Sequence, residues 1–226
     1  GLISAVLRTY YPELNYSVTL PQKQKRYKNY PTAEEIIEMF KGSELELVVL
    51  LGLWQGFRVS EIRGLKKSDF QDGYLVINRV KVDVGNETVI KETPKTTDSR
   101  RKMAVPPIIQ AMVDQIDGEY ITNLNRKGIY QRFKRIMKKH GYSDITFHDL
   151  RHINASVMLA LNVPDKYAME RGGWSTSSTL KRVYQETFSD ERQKIDKRID
   201  TYFENIYDTK YDTKTKKPRK FKVKRR

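Results

Sequence analysis

The sequence predicts an α+β domain, mainly helical, with one small antiparallel sheet of about three strands set between two groups of helices. Three observations carry that prediction. Most of the chain divides into short capped segments whose apolar residues recur at helical spacing. Residues 74–105 alone change character and become rich in Val, Ile, Thr and Tyr. The chain has 226 residues and no cysteine, so it relies on a hydrophobic core of ordinary size rather than on disulfides.

Taken in order, residues 1–14 read as the last helix of a preceding domain. The chain starts without Met, so we read it as a piece whose N-terminal part has been cut away. Residues 15–31 are polar, basic and interrupted by Pro21 and Pro31, as in an extended linker. Thr32 with Glu35 forms a capping box ahead of Ile36, Ile37, Met39 and Phe40, and Gly42 stops that helix. Ser43 with Glu46 suggests a second box before the run LELVVLLGLWQ, apolar enough for a central buried helix. Gly56 breaks it and VSEIRGL begins another. The strand-like segments are GYLVINRVKVDV, ETVIKETPK and RRKMAVP, with turn signals at 83–86 and 96–99. Helices are then expected at about 107–117, 126–140, 148–161, 165–172, 176–182 and 190–206. The domain reading is 1–31 for the end of a preceding domain plus linker, 32–206 for the main domain, and 207–226 for a basic tail expected to be disordered or to act as a docking arm.

Charge narrows the partner. The net charge is +15, and residues 207–226, with seven Lys and three Arg against two Asp, contribute +8 of it. The remaining +7 makes the folded body basic as well, which points to a polyanion, most simply nucleic acid. No run of 18 apolar residues exists, so no membrane span is expected, and the absence of cysteine is compatible with a cytoplasmic location. His148 and His152 have the spacing of a metal pair, but HDLRH lacks the Glu of the zinc-protease motif, so neither a metal nor another cofactor is expected.

Four segments carry chemistry. In GFRVSEI, Arg58 follows a helix-breaking Gly, and Glu61 three residues on is its natural ion-pair partner. In TPKTTDSRRKMAVP, Lys95 sits at an expected hairpin from which a long cationic side chain reaches into a groove; Lys91 competes for the same role. In TFHDLRH, a helix beginning near His148 puts His148, Arg151 and His152 on one face beside free backbone N–H groups, a setting suited to an anion. The Arg fork binds two phosphate oxygens and an imidazole exchanges a proton near neutral pH, while His152 is expected to be buried and structural. In GGWSTSSTLKRVYQE, a Ser/Thr-rich helix leads to Tyr184, one of 14 tyrosines.

The ordered set G-x-R-x-S-E, hairpin Lys, H-x-L-R-H and G-W with nine residues between it and Tyr resembles the tyrosine recombinase, or phage integrase, family over about residues 32–190. The resemblance implies the DNA breaking-rejoining fold and an active site of Arg58, Lys95, His148, Arg151, Trp174 and Tyr184. Tyr184 would attack a DNA phosphate to give a 3′-phosphotyrosyl bond, Arg58 and Arg151 would meet the developing charge, and Lys95 would protonate the leaving 5′-hydroxyl. The bond conserves the energy of the broken phosphodiester, so neither metal nor nucleotide is needed. Most members have His where Trp174 stands. An indole N–H only donates, so Trp174 either touches a phosphate oxygen, buttresses the Tyr184 helix or simply fills space. The resemblance also implies a preceding core-binding domain, a tetramer on two sites of double-stranded DNA, a monomer for the isolated piece, and action at the nucleoid of a bacterial or phage-carrying cell. Residues 190–206 would pack on a neighbour or on their own domain. Type IB topoisomerases are similar in fold and residue set, and a non-catalytic DNA-binding module would share the charge.

Overall fold

The computed structural model describes residues 2–13, 28–85, 87–92, 102–187, 197 and 199–204. The chain runs through α1 (Leu2–Tyr10), α2 (Ala33–Phe40), α3 (Glu46–Leu53) and α4 (Val59–Gly64) to the strands β1 (Phe70–Gln71), β2 (Tyr74–Val76), β3 (Val80–Val84), β4 (Glu87–Lys91) and β5 (Lys102–Ala104). It continues through α5 (Pro107–Asp114), α6 (Arg126–Lys139), α7 (Asp149–Ala160), α8 (Asp165–Gly172) and α9 (Ser177–Thr187). Residues 199–204 are also helical, while the rest of the expected 190–206 helix, apart from Lys197, and the basic tail lie outside the described residues. No helix among the described residues is long and apolar enough to cross a membrane.

Local sequence explains most element ends. Thr32 Oγ1 accepts the Glu35 N–H at 3.1 Å and Glu35 Oε2 accepts the Thr32 N–H at 2.7 Å, the expected capping box of α2. The second box does not form. Ser43 Oγ instead donates to the Phe40 carbonyl at 2.6 Å, satisfying the open end of α2, and Glu46 accepts from the Gly42 N–H at 2.8 Å. Both side chains thus serve the turn leaving α2, and α3 begins after Leu45, its N-cap, with no side-chain cap.

The sheet region is richer than the sequence suggests. β1, β2 and β5 make the three-stranded antiparallel sheet, and β3 with β4 make a separate hairpin. The segment read as one strand splits because residues 77–79 leave the sheet. Ile77 is fully buried, and Arg79 Nη1 donates to buried Asp69 at 2.6 Å. The turn expected at 83–86 is the β3–β4 turn, whereas the one at 96–99 lies outside the described residues.

Two apolar clusters hold the domain. The larger draws on α2 to α7 and the three-stranded sheet, with Phe40 stacked on Phe133 (5.1 Å between ring centres) and Phe133 edge-on to Phe147 (5.5 Å). α3 lies so close to α7 that a Cβ on Gly52 would sit 3.1 Å from Leu150 and Phe147. The smaller cluster joins α7, α8 and α9 through Ala155, Met158, Ala168, Trp174, Leu180 and Val183. These two clusters fix α7 from both sides, and α7 carries half of the chemistry described next.

Candidate active site

Arg58 sits at the N-terminus of α4, just past Gly56, whose φ of +70° makes the turn that a side-chain-bearing residue would resist. Its Nη1 donates to Glu61 Oε1 at 2.7 Å, and Glu61 Oε2 accepts the Arg58 backbone N–H at 2.7 Å. Glu61 is buried and therefore holds both the side chain and the main chain of Arg58. The expected local ion pair is present, and the guanidinium remains partly exposed.

His148 and Arg151 enter through α7. Phe147 and Leu150, both buried, anchor the first turn on either side of His148. Arg151 is itself buried: Nη1 donates to the Gly56 carbonyl at 2.7 Å and Nη2 to the Gly173 carbonyl at 3.3 Å. Arg58 Nη2 donates to that same Gly173 carbonyl at 3.0 Å. One main-chain oxygen thus gathers two guanidinium groups from helices 93 residues apart in numbering (Arg58 and Arg151). Gly173 has φ +61°, the left-handed residue that ends α8. Trp174 follows, buried, with its ring 4.2 Å from the Arg151 guanidinium carbon. The indole is a shelf for Arg151 in this arrangement.

The surroundings of His148 favour its neutral form. Although His148 keeps an exposed edge, desolvation of its protein-facing side, followed by the charges of His152 and Arg151, lowers its pKa and favours the neutral imidazole at neutral pH. Its ring meets His152 edge-on at 5.3 Å. His152 is half-buried, not fully buried as expected, because that face of α7 stays open beside His148. Asp149, next to His148, is buried and accepts from Lys28 Nζ, the Thr146 N–H and the Thr146 hydroxyl, each at 2.7 Å. Burial alone would push its pKa up, but these donors outweigh it and hold the carboxyl below the usual Asp range.

A cleft of about 250 Å³ opens beside these groups, lined among others by Arg58, Arg63, Lys81, Arg126 and His148. Sequence reasoning missed Arg63, Lys81 and Arg126. Arg63 is buried and held by Asp83 through two bonds of 3.0 and 2.8 Å, and Lys81 lies over the Tyr120 ring at 3.0 Å. The available signal was the strand period, which puts Lys81 and Asp83 on one face of β3. Arg58, His148, Arg151 and Trp174 are therefore brought together. Lys95 lies outside the described residues, and its rival Lys91 is exposed at the end of β4. Tyr184 is carried by α9, one residue after buried Val183.

Comparison with known proteins adds three kinds of finding. The phage integrase family profile matches residues 31–191. An integrase of Saccharopolyspora erythraea is 39% identical over 93 residues, 38% of this chain and 21% of that protein. A XerC-like tyrosine recombinase of Caldanaerobacter subterraneus subsp. tengcongensis is 22% identical over 205 residues, covering 75% of this chain and 52% of its own, so the chain spans about half the length of that relative. Among solved structures, the Tn1549 transposon integrase in complex with circular intermediate DNA superposes with a TM-score of 0.61 at 17% identity, covering 87% of this chain and 75% of that one. A lambda integrase dimer bound to a COC′ core site gives 0.59 at 21% identity, covering 83% and 72%. The fold is that of these recombinase domains, and, with the family match spanning most of the described body, the chain belongs to the phage integrase family.

Proposed function

We propose that the chain is the catalytic part of a site-specific DNA recombinase that cleaves and rejoins strands through Tyr184. The observation that supports this best is the meeting of Arg58 and Arg151 at the Gly173 carbonyl, with Arg58 and His148 both lining the adjoining cleft. Two fixed cations and a neutral imidazole suit a phosphodiester passing through a more highly charged transition state. In this reading the phenolic oxygen of Tyr184 attacks phosphorus and the bond to the 5′ oxygen breaks. A phenol with an ordinary pKa near 10 must lose its proton as it attacks, and neutral His148 accepts it. Lys95 supplies the proton that leaves with the 5′-hydroxyl. A 5′-hydroxyl of another strand then runs the steps in reverse, completing exchange.

The remaining parts of the proposal follow the family. Residues 32–206 form the catalytic domain, residues 1–31 the end of a core-binding domain and its linker, and residues 207–226 a basic arm. The partner is double-stranded DNA carrying two recombination sites, bound by a tetramer assembled on the DNA from protein that is monomeric alone, in the cytoplasm at the nucleoid. The test is a nicked duplex that traps the cleaved state. The wild-type chain is expected to form a covalent protein–DNA adduct that survives denaturant, and Tyr184→Phe is expected to form none. Equal DNA binding by both with no adduct from either would overturn the proposal.

A further inference from the structure

The segment leading into α2 is tied directly to the helix that carries His148 and Arg151. Lys28 Nζ reaches Asp149 Oδ2 at 2.7 Å, and the Tyr30 hydroxyl lies 3.4 Å from Asp149 Oδ1. Tyr30 is also packed against the main core. These contacts span about half the chain, between residues 28–30 and 149. On its other side Asp149 accepts the Thr146 N–H and hydroxyl, both at 2.7 Å, which closes the turn delivering Phe147 and His148. The carboxylate is thus a junction: Lys28 and Tyr30 on one side, the first turn of α7 on the other. It is 5% exposed, so Lys28 is the charge partner of a nearly solvent-free anion, and removing that partner leaves a buried charge uncompensated, a costly change.

We propose that Lys28 is a positioning residue for cleavage, acting through Asp149 to set the placement and charge environment of His148; the proposal builds on the recombinase reading above. With Lys28 seated, the Asp149 negative charge is balanced and its carboxylate geometry is fixed by four donors. With Lys28 withdrawn, the carboxylate keeps its charge beside His148 and loses the one cation among these four donors. Two consequences follow. The turn bearing His148 and Arg151 loosens, which misaligns groups that work only at hydrogen-bond distance. The uncompensated Asp149 charge also raises the His148 pKa, opposing the burial and the His152, Arg151 and Arg58 charges that lower it. Lys28 and Tyr30 are therefore working parts of the active site: where they sit decides whether α7 is set for chemistry.

The experiment uses Lys28→Ala and Lys28→Arg in the full chain. Three measurements are made on each: the single-turnover rate of adduct formation on the nicked duplex, the duplex affinity, and the His148 titration followed by NMR of the imidazole protons. Lys28→Ala is expected to slow adduct formation roughly tenfold with duplex affinity within about twofold of wild type, and Lys28→Arg to recover most of the rate. The His148 titration is expected to move up in Lys28→Ala and to return in Lys28→Arg. Thermal melting of each variant reports folding; loss of rate without movement of His148 would mark a merely structural role and overturn the proposal. Wild-type rate in Lys28→Ala, or a loss confined to affinity, would overturn it as well. If the wild-type chain forms no adduct, the recombinase reading fails instead, and the His148 titration alone decides whether Lys28 acts on α7.

Discussion

Substituting Gly172 tests how tightly the turn after α8 is built around the arginine pair. A Cβ at Gly172 would lie 2.7 Å from Trp174 Cη2 and nearer still to Cζ3 and Cε3, well inside van der Waals contact. Trp174 is 7% exposed and wedged between α7, α8 and α9, so its ring has no free direction in which to retreat. Gly172→Ala is expected to cost about 2 kcal/mol, the range for overpacking a closed core. Trp174→Ala alone is expected to cost about 3–4 kcal/mol through the cavity left. The informative protein is the double variant: once the ring is gone the added methyl occupies vacant space. Gly172→Ala should then cost about nothing, or gain a few tenths of a kcal/mol from better helix propensity. The cycle predicts a coupling of about 2 kcal/mol, read as urea unfolding midpoints at constant m-value. The same displacement takes the shelf from under Arg151, so adduct formation by Gly172→Ala is expected to fall about a hundredfold. Additive stabilities in the double variant, or a Gly172→Ala protein as stable as wild type, would refute the reasoning.

Three other outcomes are expected. Because His148 has a lowered pKa in the folded chain, it carries fewer protons folded than unfolded, so stability is full above about pH 6.5 and declines as pH falls from there through the folded value; His148→Gln should flatten that part of a stability–pH curve, and an unchanged slope would count against the assignment. Trp174→Phe keeps an aromatic face for Arg151 and should retain adduct formation within about threefold, as expected of a cation–π shelf; a loss as deep as that of Trp174→Ala would instead assign the indole N–H to the phosphate. Duplex affinity should fall with salt at a log–log slope of about −5 if roughly six phosphates are neutralised, measured by fluorescence anisotropy, and a slope near zero would remove nucleic acid as the partner.

What could be read in the sequence was what is local. The Arg58–Glu61 pair spans three residues and follows from helix geometry, and the Thr32–Glu35 box is equally short-range. The same reasoning misplaced Ser43 and Glu46, because the turn leaving the preceding helix competes for both: Ser43 donates to its open carbonyl and Glu46 accepts the Gly42 N–H. The strand count was short because the signal that splits β2 from β3 is the Arg79–Asp69 bond, formed only after the chain has turned. Within the candidate site, Arg58, His148, Arg151 and Trp174 could be picked out from the sequence, and what gathers them could not. Gly173 contributes a carbonyl, which every residue possesses, and only the folded turn after α8 makes that oxygen the meeting point of Arg58 and Arg151. The Lys28–Asp149 contact was hidden for a related reason, since a lysine in a basic linker looks like any solvated charge.

The shared acceptor at Gly173 has a consequence for anyone rebuilding this site elsewhere. The two guanidinium groups meet at the main chain of a Gly-Gly-Trp turn, with Glu61 and the Gly56 carbonyl holding each from its own side. Copying Arg58, His148 and Arg151 onto a foreign helical scaffold would transfer the charge without the ruler. The smallest transplantable unit is the three side chains together with Gly56, Glu61 and residues 172–174, and a graft lacking that turn is expected to attract a phosphate without orienting it.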